Sequence, residues 1–232
     1  MTSCGDVPEC ARLEADMRRG IMVAVLAVLV VSSTSLAKPG KERWAIKTSV
    51  VSTGKHHSLQ YDKFLALVQP EIPAGFDRDH DRIPGKAGEP SEGDIITIHG
   101  WLQLVAFEKT ASGDEDYHIQ ISASQSDGKN CIIVEAPNPD FIDDPTLKQQ
   151  ATAIRAWVRE KLLHDPQREP SSKGIPMTHP PYVSATGQLF FDASHEQGSD
   201  PGGGRGKLGM NAGTVWELHP LTKLTFAKAP SA

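Results

Sequence analysis

This sequence predicts a mainly β fold, a five-stranded barrel with one helix between its third and fourth strands. Three observations lead there. Residues 94–226 carry five strand-like runs and one helical run in the order β-β-β-α-β-β. Glycines interrupt the first and fourth of these strands, at Gly100 and Gly187, and a glycine inside a long strand marks the bend by which a sheet closes on itself. A lone helix in the middle of the order counts against a β-sandwich, which is the other architecture such strands suggest. Order and bends together describe an OB-like barrel.

Each element has its own warrant. Strand one, Asp94–Lys109, places Ile96, Ile98, Leu102 and Leu104 on one parity. Strand two, Tyr117–Ser124, alternates Tyr117, Ile119 and Ile121 inward with His118, Gln120 and Ser122 outward. An Asp-Gly turn at Asp127-Gly128 leads to strand three, Cys131–Pro137, whose nearly unbroken apolar run predicts a central position. The helix is expected over 145–163, with Asp143 or Asp144 as cap, Pro145 in the first turn, and Leu147, Ala151, Ile154, Val158 and Leu162 along one face. Strand four is Tyr182–His195. A glycine-rich, flexible insert, Gly198–Gly213, precedes strand five, Val215–Phe226, where Trp216, Leu218, Leu224 and Phe226 share one parity and Glu217 and His219 the other.

Upstream, residues 38–93 form an extension to the barrel domain of residues 94–228. Arg43–Val51 reads as a strand, and Gln60–Pro70 as a helix with Tyr61, Phe64, Leu65 and Val68 facing the core. The Pro-, Gly- and charge-rich run 71–94 reads as a long exposed connection. Asp77, Asp79 and Asp81 match three positions of a calcium loop, but Arg82 and Gly88 stand where that loop needs glycine and glutamate, so a solvated acidic loop is expected.

Residues 1–37 read as an upstream leader plus a secretory signal. Basic Arg18-Arg19 precedes the apolar run Ile21–Val31, and small residues at Ser35 and Ala37 favour cleavage after Ala37. Eleven apolar residues are too few for the roughly 20 of a membrane-spanning helix. Residues 1–16 are polar and acidic, as expected if translation starts at Met17 or Met22. The expected location is secreted or periplasmic, with no membrane association after cleavage. Cys4 and Cys10 leave with the leader, so Cys131 stands alone as a buried thiol and an apolar core has to hold the domain.

Of 24 basic and 29 acidic residues, cleavage leaves 21 against 25. Without a basic run, nucleic acid is disfavoured as a partner.

The stretches DEDYHIQI, CIIVEAPNPDF, TGQLFFDASH and WELHPLTKLTF, with RWAIKT upstream, resemble the successive motifs of a family of exported bacterial proteins without an assigned activity. The resemblance covers most of residues 43–226 and implies a secreted, OB-like domain of the thermonuclease-related sort. The insert at 198–213 departs from it and puts the geometry of the adjoining residues in question.

The residues able to carry chemistry sit at strand ends. His118, His195, Glu217 and His219 are candidate ligands for a divalent metal such as zinc or calcium, because imidazoles and carboxylates are its usual ligands. Glu135 at the end of strand three, Arg155 on the helix and Glu217 are the catalytic candidates of a metal-assisted, nuclease-like hydrolase. Such an enzyme also needs a second arginine and a metal loop, and the acidic SGDEDY run differs from that loop. The bland alternative is a self-paired structural cluster in which Arg155 or a histidine satisfies Glu135 or Glu217. A binding role rests on Trp101, His99, His118 and Gln120, with Trp101 a stacking platform unless Trp44 or Phe64 covers it. The preferred expectation is an exported OB-like binding module without a cofactor, for a small molecule, glycan or protein. The hydrolase is the alternative.

Overall fold

The computed structural model describes residues 43–72, 74–77, 79–108, 114–195 and 200–231. The expected leader and signal, residues 1–37, lie outside them. So do Ser112 and Gly113 of the acidic run, Lys109 at the end of strand one, and Gly198 and Ser199 at the start of the insert.

In chain order the elements are α1 (Trp44–Lys47), β1 (His56–Ser58), α2 (Tyr61–Leu65), β2 (Ile95–Phe107), β3 (Tyr117–Ser122), β4 (Cys131–Ala136), α3 (Pro145–Trp157), β5 (Ile175–Pro176), β6 (Tyr182–Phe191) and β7 (Ala212–Phe226). Antiparallel β2, β3 and β4 are followed by β7 parallel to β4, then β6 antiparallel to β7, and β6 pairs back onto β2. This closed five-stranded circuit, with α3 between the third and fourth barrel strands, is the expected OB-like barrel. Short β1 and β5 add to the flanks of β2.

The glycine bends work by close approach. A Cβ on Gly100 would lie 2.6 Å from Ile121 Cγ2 and 2.7 Å from the Ser122 carbonyl oxygen, so β2 can cross β3 there only without a side chain. At Gly187 the β6–β7 register shifts, and a Cβ would lie 2.8 Å from the Pro220 oxygen.

Ile96, Ile98, Ile119, Ile121, Val134, Leu189, Phe191, Trp216 and Leu218 fill the interior as one apolar cluster, α3 adds Ile154, and the turn after it adds Val158. Asp144 Oδ1 accepts a 2.7 Å hydrogen bond from Leu147 N, Pro145 opens the helix, and a π turn extends it over Val158–Leu162. β2 departs from strict alternation. A bulge at Gln103 puts Val105 in the interior cluster beside Leu102 and leaves Leu104, still buried, on the other face against β5.

The extension departs most from expectation. Arg43–Val51 is not a strand but carries α1, because tertiary anchors outweigh local β propensity. Trp44 packs edge-on against Phe141, Ile46 is buried, and the Arg43 guanidinium donates to Glu92 at 2.5 and 2.6 Å and to the Phe191 carbonyl at 2.9 Å. Glu92 also accepts from Ile83 N and Phe191 N, so the 71–94 connection is pinned with Ile83 fully buried rather than exposed throughout. α2 is one turn shorter than its apolar stripe. Phe64 is buried, but Val68 lies beyond the helix and is 44% exposed, its carbonyl accepting from Trp216 Nε1. In the acidic loop, Asp77 and Asp81 accept from backbone N–H groups of the loop itself, and Asp77 pairs with His80.

Candidate functional site

A row of polar side chains crosses the outer face of the barrel. His118 on β3 lies opposite Glu135 on β4, while β4 pairs in parallel with β7 at Ile133–Glu217 and Val134–Leu218, bringing Glu217 and His219 alongside. Phe190 on β6, opposite Glu217, ends the row with its ring 5.5 Å from that of His219. The parity argument for Glu217 and His219 therefore holds, but their face is not solvated. They are 2% and 0% exposed.

Two segments cover them. Lys47 of α1 reaches Asp114 at 3.5 Å and lies 5.6 Å from the Phe190 ring centre. From the other side comes the insert, which is folded onto the barrel over 200–211 rather than loose. Its Lys207 N donates to Gln120 Oε1 at 2.8 Å, and Arg205 is buried between Asp192 and Glu217, at 2.9 and 2.5 Å, while donating to the Thr214 carbonyl. Glycines 203, 204, 206 and 209 take left-handed backbone angles that let so short a loop turn back on itself.

Glu135 is the hub. Its two oxygens take one imidazole each, His118 Nδ1 at 2.8 Å and His219 Nδ1 at 3.1 Å. Burial pushes this carboxyl up, and the two histidines outweigh burial and hold it well below the usual carboxylate range. His219 sits among three carboxylates: Asp116 Oδ2 at 3.2 Å from Nε2, Glu135, and Glu217 Oε1 at 3.3 Å from Nδ1. Burial lowers its affinity for a proton, but those neighbours raise it well above the ordinary value. Asp114 is pushed up to about 8 by burial and by the charges of Asp116 and Glu135. Glu217 is raised by burial and by Glu135, against the pull of Arg205.

The expected candidates divide. His118, Glu135, Glu217 and His219 come together. His195 does not join them, because β6 ends at Phe191 and the strand parity that pointed it inward stops there. Its ring is 46% exposed and bonds Asp192 Oδ2 at 2.6 Å. Arg155 is not a partner of Glu135 or Glu217 either. Its guanidinium lies 4.0 Å from the Tyr117 ring centre and donates to the Glu115 carbonyl.

Sequence reasoning missed Arg43, Glu92, Asp114, Asp116 and Arg205. The acidic DED run was visible as a motif, but only the fold sets Asp116 beside His219. Nothing local marks Arg205 as buried, since an arginine among glycines reads as a solvated loop.

A second, open site lies across β2 and β6. His99 stacks on Tyr182 with ring centres 6.4 Å apart, and Trp101 meets Tyr182 edge-on at 5.1 Å. Trp44 and Phe64 are engaged elsewhere and do not cover Trp101, which is half-buried. These rings, with Ser58, Gln60 and Tyr61, border a pocket of about 290 Å³. His118 and Gln120, expected on the same ligand surface, are instead in the covered polar row. Cys131 is buried, and burial pushes its thiol up to about 11, which makes it unreactive.

Among the described residues, no helix is long and apolar enough to cross a membrane. Comparison with protein-family models, curated proteins and solved structures finds no match to this chain.

Proposed function

We propose that the protein is an exported binding module whose ligand is a sugar or another neutral ring compound held against Trp101. The observation that carries this reading is the open pocket edged by His99, Trp101 and Tyr182. Aromatic faces stack on the apolar side of a sugar ring, and uncharged neighbours such as Ser58 and Gln60 hydrogen-bond its hydroxyls without selecting for charge. A protein of net charge −5 with no basic run gives nucleic acid little electrostatic attraction.

Burial of the polar row also favours a module over a hydrolase. Glu217 and His219 have no accessible side, whereas hydrolysis needs substrate and water at the reacting carboxylate. The loop carrying Lys207 lies across the β3 face, one of the surfaces such barrels use for ligands, which leaves the β2–β6 side free.

The test is tryptophan fluorescence and calorimetric titration of the mature chain against a glycan panel, with single-stranded oligonucleotides as the competing class. Saturable glycan binding that Trp101→Ala abolishes supports the module. Oligonucleotide binding alone, or glycan binding indifferent to Trp101, overturns it.

A further inference from the structure

Asp116, Glu135 and His219 each offer a ligand atom, and the three atoms lie within 4.8 Å of one another, all buried. We propose that these residues bind a divalent ion of the zinc class, enclosed when the barrel folds; the proposal is independent of the pocket at Trp101.

Three observations carry it. First, His219 Nε2 and Asp116 Oδ2 lie within ion-pair distance, 3.2 Å, but outside good hydrogen-bond geometry, and each lacks any other partner among the described residues, although the side chains are 0% and 1% exposed. Asp114 Oδ1, two residues from Asp116, is buried without a partner as well. Buried polar atoms are almost always paired, so two poorly paired atoms facing each other, with a third on the same short acidic run, point to a missing component. Second, the spacing of one pair suits coordination: two ligands each about 2.1 Å from an ion, roughly 90–109° apart around it, stand about 3.0–3.4 Å from each other, as His219 Nε2 and Asp116 Oδ2 do, while Glu135 Oε2 lies 3.1 Å from Nδ1 on the other side of the same ring. Third, the lysine and arginine charges go to other acids. Lys47 answers Asp114, and Arg205 answers Asp192 and Glu217, but no lysine or arginine among the described residues lies within ion-pair distance of Asp116 or Glu135. Among the described residues, the basic side chains within that distance of these two carboxylates are His118 and His219.

The neighbouring triad Glu108, His118 and Glu135 is a useful contrast. There Lys207 Nζ already sits 3.0 Å from Glu108 and supplies the positive charge, so no ion is called for. Around His219 the supporting contacts are those of a held ligand set. Asn138 N donates to Asp116 Oδ1 at 3.1 Å, turning Oδ2 toward the imidazole, and His118 fixes the far oxygen of Glu135. Imidazole and carboxylate are both zinc ligands, and because the Asp116 and His219 side chains are 1% and 0% exposed, uptake is expected to accompany folding.

The experiment unfolds the full chain in guanidinium with EDTA and refolds it after chelator removal, with and without one equivalent of zinc sulfate. Metal content is then measured by elemental analysis. The expected result is about one equivalent retained through dialysis and a Tm roughly 5 °C or more above the metal-free protein. Asp116→Asn and Glu135→Gln should lose most of that retention, while Glu108→Gln keeps it. If the first two variants fail to fold, cobalt(II)-refolded wild type decides, by a visible ligand-field band that zinc displaces. A folded wild type that retains neither zinc nor cobalt overturns the proposal and leaves His219 as an imidazolium caged by carboxylates. Retention that is unchanged in Asp116→Asn overturns it too, since the ion then lies elsewhere.

Discussion

Arg205 Nη1 lies 2.5 Å from Glu217 Oε2, so a side chain from the glycine-rich loop supplies the positive charge for a fully buried carboxylate on β7. The same nitrogen reaches Asp192 at 2.9 Å, just past the end of β6. Arg205→Met therefore leaves Asp192 to the half-exposed His195 ring and Glu217 to His219 and is expected to cost roughly 3–5 kcal/mol, read from chemical denaturation. A loss under about 1 kcal/mol would mean that Glu217 is carried neutral in the folded protein.

The Asp192–His195 pair predicts a pH signature. Its hydrogen bond to Asp192 raises the His195 ring above its ordinary value. A raised histidine contributes stability that is fully present below its unfolded pKa and is lost as pH rises through the folded value. Asp192 is displaced the other way: burial raises it, but His195 and Arg205 together hold it far down, so its contribution is present above the usual carboxylate pKa and fades only in strong acid. Wild type should thus exceed His195→Ala in denaturation midpoint near pH 5.5 and converge with it toward pH 9, by no more than about 1 kcal/mol because the ring is half exposed. A gap that widens with pH would reverse the assignment.

Gly100→Val should be severe. The new side chain would start 2.6 Å from Ile121 and 2.7 Å from a backbone oxygen that cannot move aside. Overpacking of this kind costs about 1–3 kcal/mol or more, checked by thermal melting. An unchanged Tm would show that β2 can relax at its bend.

Glu92→Gln tests the anchor of the extension. The change removes the carboxylate to which the buried Arg43 guanidinium donates at 2.5 and 2.6 Å and loosens the connection around Ile83. Limited proteolysis should cut within residues 66–91 at least tenfold faster than in wild type, in step with the roughly 3–5 kcal/mol a broken buried pair costs. Equal cleavage rates would show that apolar contacts alone hold the segment.

Tyr182→Ala separates the pocket from the barrel. The ring is only partly buried and supports Trp101 and His99 from the side, so any ring-stacking ligand should lose about tenfold or more in affinity while the Tm stays close to wild type. Full affinity in this variant would remove Tyr182 from the site.

The barrel was legible because its information is local. Alternation in Tyr117–Ser122, the unbroken apolar run at Cys131–Ala136, the Asp144-Pro145 helix start and the bends at Gly100 and Gly187 all survive in the fold. Parity also placed Glu217 and His219 together. Parity does not say what covers a face, and here α1 and the 200–211 loop turned a surface into an interior. It also fails where a strand ends early, as for His195, or bulges, as at Leu104. Ion pairs between distant segments, such as Arg43 with Glu92, leave no periodic trace, which is why the extension was misread as a strand and an exposed linker.

The loop between β6 and β7 also limits how the molecule can be altered. Five of its twelve residues over 200–211 are glycine, and it lies on the outside, so it looks like a convenient place to shorten the chain or splice in a tag. Any such edit that removes or displaces Arg205 would take out a counter-ion of the protein's interior, and the damage would show in the sheet rather than at the loop.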